Sequence, residues 1–315
     1  MFKSILAVCM LVVAIVAADI WWPTSHSSFE IDIRSGDSAK QVCTVLHEHQ
    51  VNYFTDVCYA LMKFQRSAHR LHVGRWSVSA NQSLWSVVNQ ILNHPAKMTD
   101  VVLIEGTPIE ALIMQLSQQE NIIFPNDLKQ SMLDNIKEYE GVFYPDTYRL
   151  SEGGDVSVIL SLAQDRMAKL LAHEWRSRLP DLPINTPKEA LIVASLIEEE
   201  THHDEEKPLI ASVIYNRINK NMRLQIDASV HYALNKYTPL ILKDLKVKHP
   251  YNTYFIKGLP PSPIALVTPA SLHAALQPAS TDYVFYVADP KTGKHIFNKH
   301  YSDHLGSIKK IRSTR

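Results

Sequence analysis

A nearly all-apolar helix that runs directly into three consecutive glutamates constrains this chain more than any other feature. The helix begins near Ala190, and the acids are Glu198, Glu199 and Glu200. Counting back from Glu200 by helical spacing reaches only apolar residues, which places that carboxyl on an apolar face. Lost solvation would raise its pKa and keep a proton ready for donation, as an acid catalyst of glycosidic bond cleavage requires.

The same stretch has a simpler interpretation. Acids at the end of a helix usually form a solvated face, and Asp204, Glu205 and Glu206 extend the run. The spacing also does not choose among the three glutamates, because a helix that is apolar nearly all round offers each of them apolar neighbours. The pattern alone therefore leaves both a catalytic acid and a solvated helix end open.

Five sequence blocks, in the same order, resemble the YceG-like family, also called the MltG-type endolytic murein transglycosylases. The block ASLIEEET, which ends at Thr201, resembles the family signature A-S-I-[IV]-E-K-E-T. The other blocks are EGVFYPDTY at residues 140–148, NRI and MRLQID within 216–227, YNTY and GLPP within 251–261, and GKHIF with His304 within 293–304. A fainter likeness reaches back to about residue 30.

The resemblance implies cleavage of the MurNAc–GlcNAc β-1,4 bond inside nascent peptidoglycan strands, with 1,6-anhydroMurNAc ends as product. Glu200 would protonate the glycosidic oxygen and then accept the proton of the MurNAc C6 hydroxyl, so one carboxyl serves both steps. The resemblance implies no metal and no organic cofactor. Polar residues inside the blocks are candidate substrate contacts or, equally, buried hydrogen-bonding groups: Tyr144, Asp146, Asn216, Gln225, Asp227 and Asn252.

The chain departs from the family pattern at several positions. Glu199 stands where the family has a lysine between its two glutamates. A negative neighbour at this position favours the protonated form of Glu200. Asn221 stands where the family often has glycine, and asparagine also tolerates the left-handed backbone region. Two loops differ as well, at residues 226–228 and 265–268, so the resemblance says less about substrate details than about the acid.

Two other functional classes remain open. A hydrolase would need a second carboxylate to activate water or form a covalent intermediate, and the motif acids available are Asp146 and Asp227. A non-catalytic wall-binding scaffold would tolerate the loss of Glu200. A zinc-binding helix is poorly supported, because His202-His203 lacks the spaced His-Glu-x-x-His pattern. A serine nucleophile is poorly supported as well, because Ser195 lacks the flanking glycines of a nucleophile elbow.

Length and composition predict two domains and exclude an obvious nucleic-acid partner. A chain of 315 residues with 46% apolar content can bury sizeable cores. The 32 basic residues balance 32 acidic ones, so no basic face is indicated. We predict an α+β protein with a small module at residues 29–94, which resembles LysM, followed by a mixed helix/strand catalytic domain at 99–315. The module either binds glycan or acts as a spacer.

Residues 1–22 carry a membrane signal. An apolar run from Ile5 to Ala18 follows Lys3, and two tryptophans close it. As a helix through Trp22 it would span roughly 27 Å at about 1.5 Å per residue, close to the hydrocarbon thickness. A cleaved signal peptide fits equally well by sequence, with residues 16–18 as the cleavage site. The family is usually anchored, which favours a single-pass inner-membrane protein with a periplasmic catalytic domain and peptidoglycan synthases as candidate partners.

The remaining predictions concern local structure. Cys43 and Cys58 form either a disulfide or two buried thiols, and the sequence does not decide. Ser38 is predicted to cap a helix through His47, and Thr107 to cap another that begins at Pro108. Further predicted helices cover residues 53–66, 83–92, 109–117, 156–175, 188–199 and 207–219. Predicted strands cover 29–33, 72–78 and 101–105, with a hairpin formed by 283–288 and 295–297.

Overall fold

The computed structural model describes residues 2–34, 36–65, 71–94 and 96–313. The chain divides into two compact units. The first unit comprises Met1–Val101, Gln119–Phe124 and Arg149–Val156, and the second comprises Val102–Gln118, Pro125–Tyr148 and Ser157–Arg315. Both units mix helices with short strands, so the predicted α+β class is confirmed.

The helices and strands follow one another in short segments. The helices are α1 Phe2–Trp21, α2 Ala39–Glu48, α3 Thr55–Phe64, α4 Leu84–Asn93, α5 Ile109–Ser117, α6 Asn126–Asp134, α7 Ile136–Tyr139, α8 Ser157–Arg176, α9 Pro187–Glu198, α10 Lys207–Asn219, α11 Asp227–Leu234, α12 Pro269–Leu276 and α13 Tyr301–Ser313. The strands are β1 Phe29–Ile33, β2 Gly74–Val78, β3 Met98–Leu103, β4 Ile122–Ile123, β5 Asp146–Ser151, β6 Gly154–Asp155, β7 Phe285–Ala288 and β8 His295–Asn298. They pair as β1–β2, β3–β5, β4–β6 and β7–β8.

Helix α1 has the length and character of a membrane span. The stretch Ser4–Trp21 has a mean hydropathy of 2.5, although a signal sequence has the same character. The C-terminal end of the helix packs on the rest of the first unit. There the Asp19 carboxylate accepts the backbone N–H of Tyr53 at 2.6 Å, and the Trp21 ring stacks on Trp85 at 4.7 Å. The helix is therefore continuous past Ala18 and ends in contact with the first unit.

The remainder of the first unit is built around the sequence β1-α2-α3-β2. The two strands are antiparallel, with Phe29 opposite Val78. Ser38 caps α2 as predicted: its hydroxyl accepts the Gln41 N–H, and the Gln41 side chain accepts the Ser38 N–H. A disulfide joins Cys43 and Cys58 with a Cα–Cα distance of 5.7 Å, which resolves the alternative left open by the sequence.

Two predictions for the first unit have less definite outcomes. The predicted helix at 53–66 corresponds to α3, which is shorter at both ends, and Arg66 lies outside the described residues. The likeness of this unit to LysM stays a prediction, because two paired strands with two helices between them do not establish a glycan-binding module.

Helix α9 is the centre of the second unit. All its residues from Ala190 to Glu198 are buried, because α8, α10 and α12 pack around it. This surrounding explains a sequence that is apolar nearly all round. Thr186 and Glu189 form a capping box at its start. On α10, Ile210 and Ile214 are fully buried, and Ile218 packs against the same core.

The predicted C-terminal hairpin is confirmed as β7 and β8, which are antiparallel with Tyr286 opposite Phe297. The predicted cap at Thr107 is wrong. Pro108 is the residue before α5, and no side chain of the helix start caps it. The carboxylate of Glu140 supplies the missing acceptor, since it takes the Ile109 N–H at 3.0 Å. A distant residue thus replaces the local cap that the sequence predicted.

Candidate active site

The three glutamates at the end of α9 have separate environments. The helix ends at Glu198, Glu199 follows as its C-cap, and Glu200 lies beyond it. The predictions that the helix includes Glu199 and that Glu200 lies on its face are therefore wrong. The Glu200 N–H bonds to the Ile197 carbonyl at 3.2 Å, three residues back, so the chain turns more tightly just beyond the end of α9.

Glu198 is a buried structural carboxylate. Its Oε2 accepts the backbone N–H of Thr268 at 2.8 Å and the Thr268 hydroxyl at 2.6 Å. The Lys207 ammonium lies 3.5 Å from its other oxygen. Because Thr268 caps α12 and Lys207 begins α10, Glu198 ties three helices together. Glu198 is 3% exposed and each of its oxygens has a partner, which leaves Glu199 and Glu200 as the candidates for chemistry.

Glu200 lines a cleft of about 380 Å³ and is partly buried there. Burial raises the pKa of Glu200 to about 8, since a carboxylate is poorly solvated at this position. The Tyr286 hydroxyl donates a hydrogen bond to it and opposes that rise, whereas the charges of Asp227 and Glu199 add to it. A carboxyl with this pKa carries its proton at neutral pH.

Glu199 lines the same cleft and is more exposed. Burial of its carboxyl and the charge of Glu198 raise the pKa of Glu199 to about 7. The carboxyl also lies close to the backbone: a Cβ placed on Gly106 would be 2.8 Å from its Oε1. Gly106 has a φ of +71°, so this turn favours glycine for its conformation as well as for its space.

A buried arginine lies near Glu200 and was not predicted as part of the site. The Arg217 guanidinium donates to the carbonyls of Val284 and Leu224, each at 2.6 Å. Its positive charge acts to lower the pKa of Glu200, and burial lowers the pKa of Arg217 itself. The sequence signal for Arg217 was a charged residue among the apolar positions of α10. For Tyr286 the sequence offered no signal beyond its place in a predicted strand.

Of the six predicted substrate contacts, Asp227 is the one that lines this cleft with Glu200. It is exposed and begins α11, and its Oδ1 accepts the Tyr254 hydroxyl at 2.6 Å. A hydrogen bond from a tyrosine fixes the direction of a carboxylate that would otherwise rotate freely. The cleft therefore has a protonated acid and an oriented second carboxylate on its walls.

Asn216 and Asn252 hold the surrounding loops by hydrogen bonds to backbone groups. The Asn252 amide, fully buried, donates to the carbonyls of Val247 and Leu245 at 2.7 and 3.2 Å and accepts the Tyr254 N–H. Asn216 donates to the carbonyls of Thr281 and Tyr283 at 2.8 and 2.9 Å, next to the hairpin. Gln225 is exposed in a left-handed conformation, with φ +53°.

Tyr144 and Asp146 form a separate cluster. Asp146 pairs with Arg166 at 2.7 Å, and the Arg166 guanidinium lies 4.1 Å from the centre of the Tyr144 ring. The hydrogen bond from Arg166 holds the pKa of Asp146 below its usual value. Neither residue lines the cleft that contains Glu200.

A second buried acid, Glu140, lies on the wall of an adjoining cavity of about 250 Å³. It is 1% exposed and accepts the Ile109 N–H and, at 2.9 Å, the Tyr232 hydroxyl. Burial raises the pKa of Glu140 to about 8 despite these two donors. Glu140 is the first residue of the matched block at 140–148, but no role was predicted for it from the sequence.

Comparison with known proteins identifies relatives over most of the chain. The sequence profile of the YceG-like family matches residues 31–310. An endolytic murein transglycosylase of Bacillus subtilis (strain 168) is 28% identical over 92% of this chain and 87% of its own length. An endolytic murein transglycosylase of Streptococcus pneumoniae serotype 2 is 30% identical over 52% of this chain and 31% of its own length.

A solved structure has a similar fold. The crystal structure of a YceG-like protein from Listeria monocytogenes superposes with a TM-score of 0.55 at 25% sequence identity. The match covers 90% of this chain and 99% of that one.

Proposed function

This chain belongs to the YceG-like family, and we propose that it is an endolytic lytic transglycosylase that cuts MurNAc–GlcNAc β-1,4 bonds in nascent peptidoglycan and leaves 1,6-anhydroMurNAc ends. One observation carries the proposal: Glu200 lines a cleft and has a pKa of about 8, so it can donate a proton at neutral pH. The transglycosylase relatives support the same reaction class.

In the first step Glu200 gives its proton to the glycosidic oxygen. The bond from that oxygen to C1 of MurNAc breaks, and the leaving GlcNAc keeps the proton as a hydroxyl. Positive charge develops at C1, and the Asp227 carboxylate, held by Tyr254, lies on the same cleft wall to stabilise it. Arg217 and the Tyr286 hydroxyl stabilise the new negative charge on Glu200.

In the second step the C6 hydroxyl of MurNAc attacks C1 and closes the 1,6-anhydro ring. The Glu200 carboxylate accepts the hydroxyl proton, which restores the acid for the next cycle. No water is consumed and no second carboxylate is required as a base. The raised pKa serves both steps, because it makes Glu200 an acid at the start and a competent base once ionised.

A hydrolase is the second candidate, since Asp227 shares the cleft and can orient a water molecule. Mass spectrometry of products from purified glycan strands separates the two, because anhydro ends are one water lighter than reducing ends. Release of anhydro ends supports the transglycosylase. Reducing ends throughout would establish the hydrolase, and no cleavage at all would favour a wall-binding scaffold.

We also propose that α1 anchors the protein in the inner membrane by a single pass, with the catalytic unit periplasmic. The docking of Asp19 and Trp21 on the first unit supports an intact helix, since cleavage after Ala18 would cut within it. N-terminal sequencing of mature protein tests this: a chain that begins at Asp19 would contradict it. Glycan binding by the LysM-like unit and contact with peptidoglycan synthases remain proposals that rest on the family resemblance.

A further inference from the structure

We propose that the cavity beside Glu140 is a second saccharide subsite, which holds another N-acetylhexosamine unit of the strand that Glu200 cuts. The proposal rests on the proposed function. The cavity adjoins the cleft of Glu200, because Pro108, Tyr232 and Tyr237 line both. A strand that passes Glu200 therefore has a second walled space next to the reacting bond.

The walls of this cavity present aromatic rings in a row. The rings of Tyr232 and Tyr251 are 4.8 Å apart, and those of Tyr251 and His249 are 5.7 Å apart. Tyr237 is 75% exposed on the shared wall. Pyranose rings have apolar faces of C–H groups that can cover such rings and remove them from water. An exposed tyrosine at a cavity edge fits this use.

Acceptors for sugar hydroxyls stand beside the rings. Glu110 and the amide of Asn235 line the cavity, and Asn235 is fixed at the end of α11 in a left-handed conformation. Glu140 is fixed as well, by its bonds to Ile109 and Tyr232. A few oriented polar groups among aromatic walls are typical of small-ligand sites.

The charge of the cavity disfavours the carboxylates of the stem peptides that peptidoglycan also carries. Among the described residues that line it, none is lysine or arginine, and two are glutamates. A peptide carboxylate would have no cation to meet there and a negative neighbour in Glu110, whereas neutral hydroxyl and acetamido groups need only acceptors and donors.

The test measures the binding of glycan by the full-length protein in the Glu200→Gln background, where no strand is cut. The probes are glycan strands with their stem peptides removed and matched strands that keep them. Tyr237→Ala and, separately, Asn235→Gly should weaken affinity for both probes, Tyr237→Ala by roughly tenfold. Glycine suits the left-handed backbone of Asn235, so that variant should fold normally.

The matched control is Tyr301→Ala, since Tyr301 is 60% exposed on α13 and lines neither the cleft of Glu200 nor the cavity of Glu140. It should leave affinity unchanged. Unchanged affinity in both cavity variants would overturn the proposal, and a loss confined to peptide-bearing strands would assign the cavity to the stem peptide instead. Because binding is measured without cleavage, failure of the transglycosylase reaction would show separately, in the products of the unmodified enzyme.

Discussion

The hydroxyl of Tyr286, on strand β7, donates a hydrogen bond to the carboxyl of Glu200, just beyond the end of α9. The bond favours the ionised acid, whereas burial and two negative neighbours favour the protonated one. The pKa of about 8 is the balance of these opposed effects. It can be shifted in either direction by single substitutions.

Tyr286→Phe should raise the pKa of Glu200, because it removes the donor to the carboxylate and keeps the ring. The active enzyme has Glu200 protonated, so activity falls as pH rises through this pKa. The alkaline limb of the pH–rate profile should therefore move upward, by roughly one pH unit for a hydrogen bond to a charged group. A limb that stays in place or moves downward would show that Tyr286 does not act on Glu200.

Glu199→Lys should move the same limb in the opposite direction. It replaces a charge that raises the pKa of Glu200 by one that lowers it. Because the two carboxyls face a cleft that is open to solvent, salt screens the change, and the shift should be a fraction of a unit that shrinks at high ionic strength. Glu205→Lys is the control, since the charge of Glu205 is not among those that shift Glu200. Equal shifts in both variants would indicate a general charge effect.

Glu198→Gln should destabilise the protein without changing its product. The substitution weakens the contacts with Lys207 and Thr268 that join α9, α10 and α12, at a cost of roughly 1–3 kcal/mol in the free energy of unfolding. Chemical denaturation measures the loss, and product analysis at low temperature measures the chemistry. A stable variant that has lost all activity would reassign the acid from Glu200 to Glu198.

The course of α9 was predictable, whereas the environment of its glutamates was not. Apolar spacing locates a buried helix because it acts within a few turns, and the capping box of Thr186 and Glu189 is a further local feature of its start. The sequence indicated Glu199 as a negative neighbour of Glu200, and its charge does act on that carboxyl. The charge of Asp227 also acts on it, and the sequence did not indicate this, whereas Glu198 turns toward Thr268.

The partners of Glu200 could not be found from local pattern, since Tyr286 and Arg217 come from separate elements that only the tertiary fold brings together. Arg217 satisfies its guanidinium with backbone carbonyls, so no complementary acid in the sequence marks its place. The resemblance to the family located the block but not these contacts. The acceptor at the start of α5 could not be found for the same reason. It is Glu140, which is distant in sequence, and not the expected Thr107.

Glu140→Gln should change how stability depends on pH. In the folded protein the pKa of Glu140 is about 8, against 4.5 for its ordinary value. Between these values the folded state holds a proton that the unfolded state has released, so this group makes stability fall as pH rises from about 4.5 to about 8. Glutamine has no such dependence. The stability of the variant relative to the parent should therefore increase between pH 5.5 and pH 8, as measured by chemical denaturation at both values. A difference that is constant with pH would contradict the raised pKa.

Glu200→Gln tests the central claim most directly. Glutamine keeps the size of the side chain and can still accept the Tyr286 hydroxyl, but it has no proton to donate at the glycosidic oxygen. Mass spectrometry of purified glycan strands incubated with the folded variant should find anhydroMurNAc ends reduced by at least about a thousandfold relative to the parent enzyme. Near-normal release of anhydro ends by Glu200→Gln, with an unchanged melting temperature, would contradict the account.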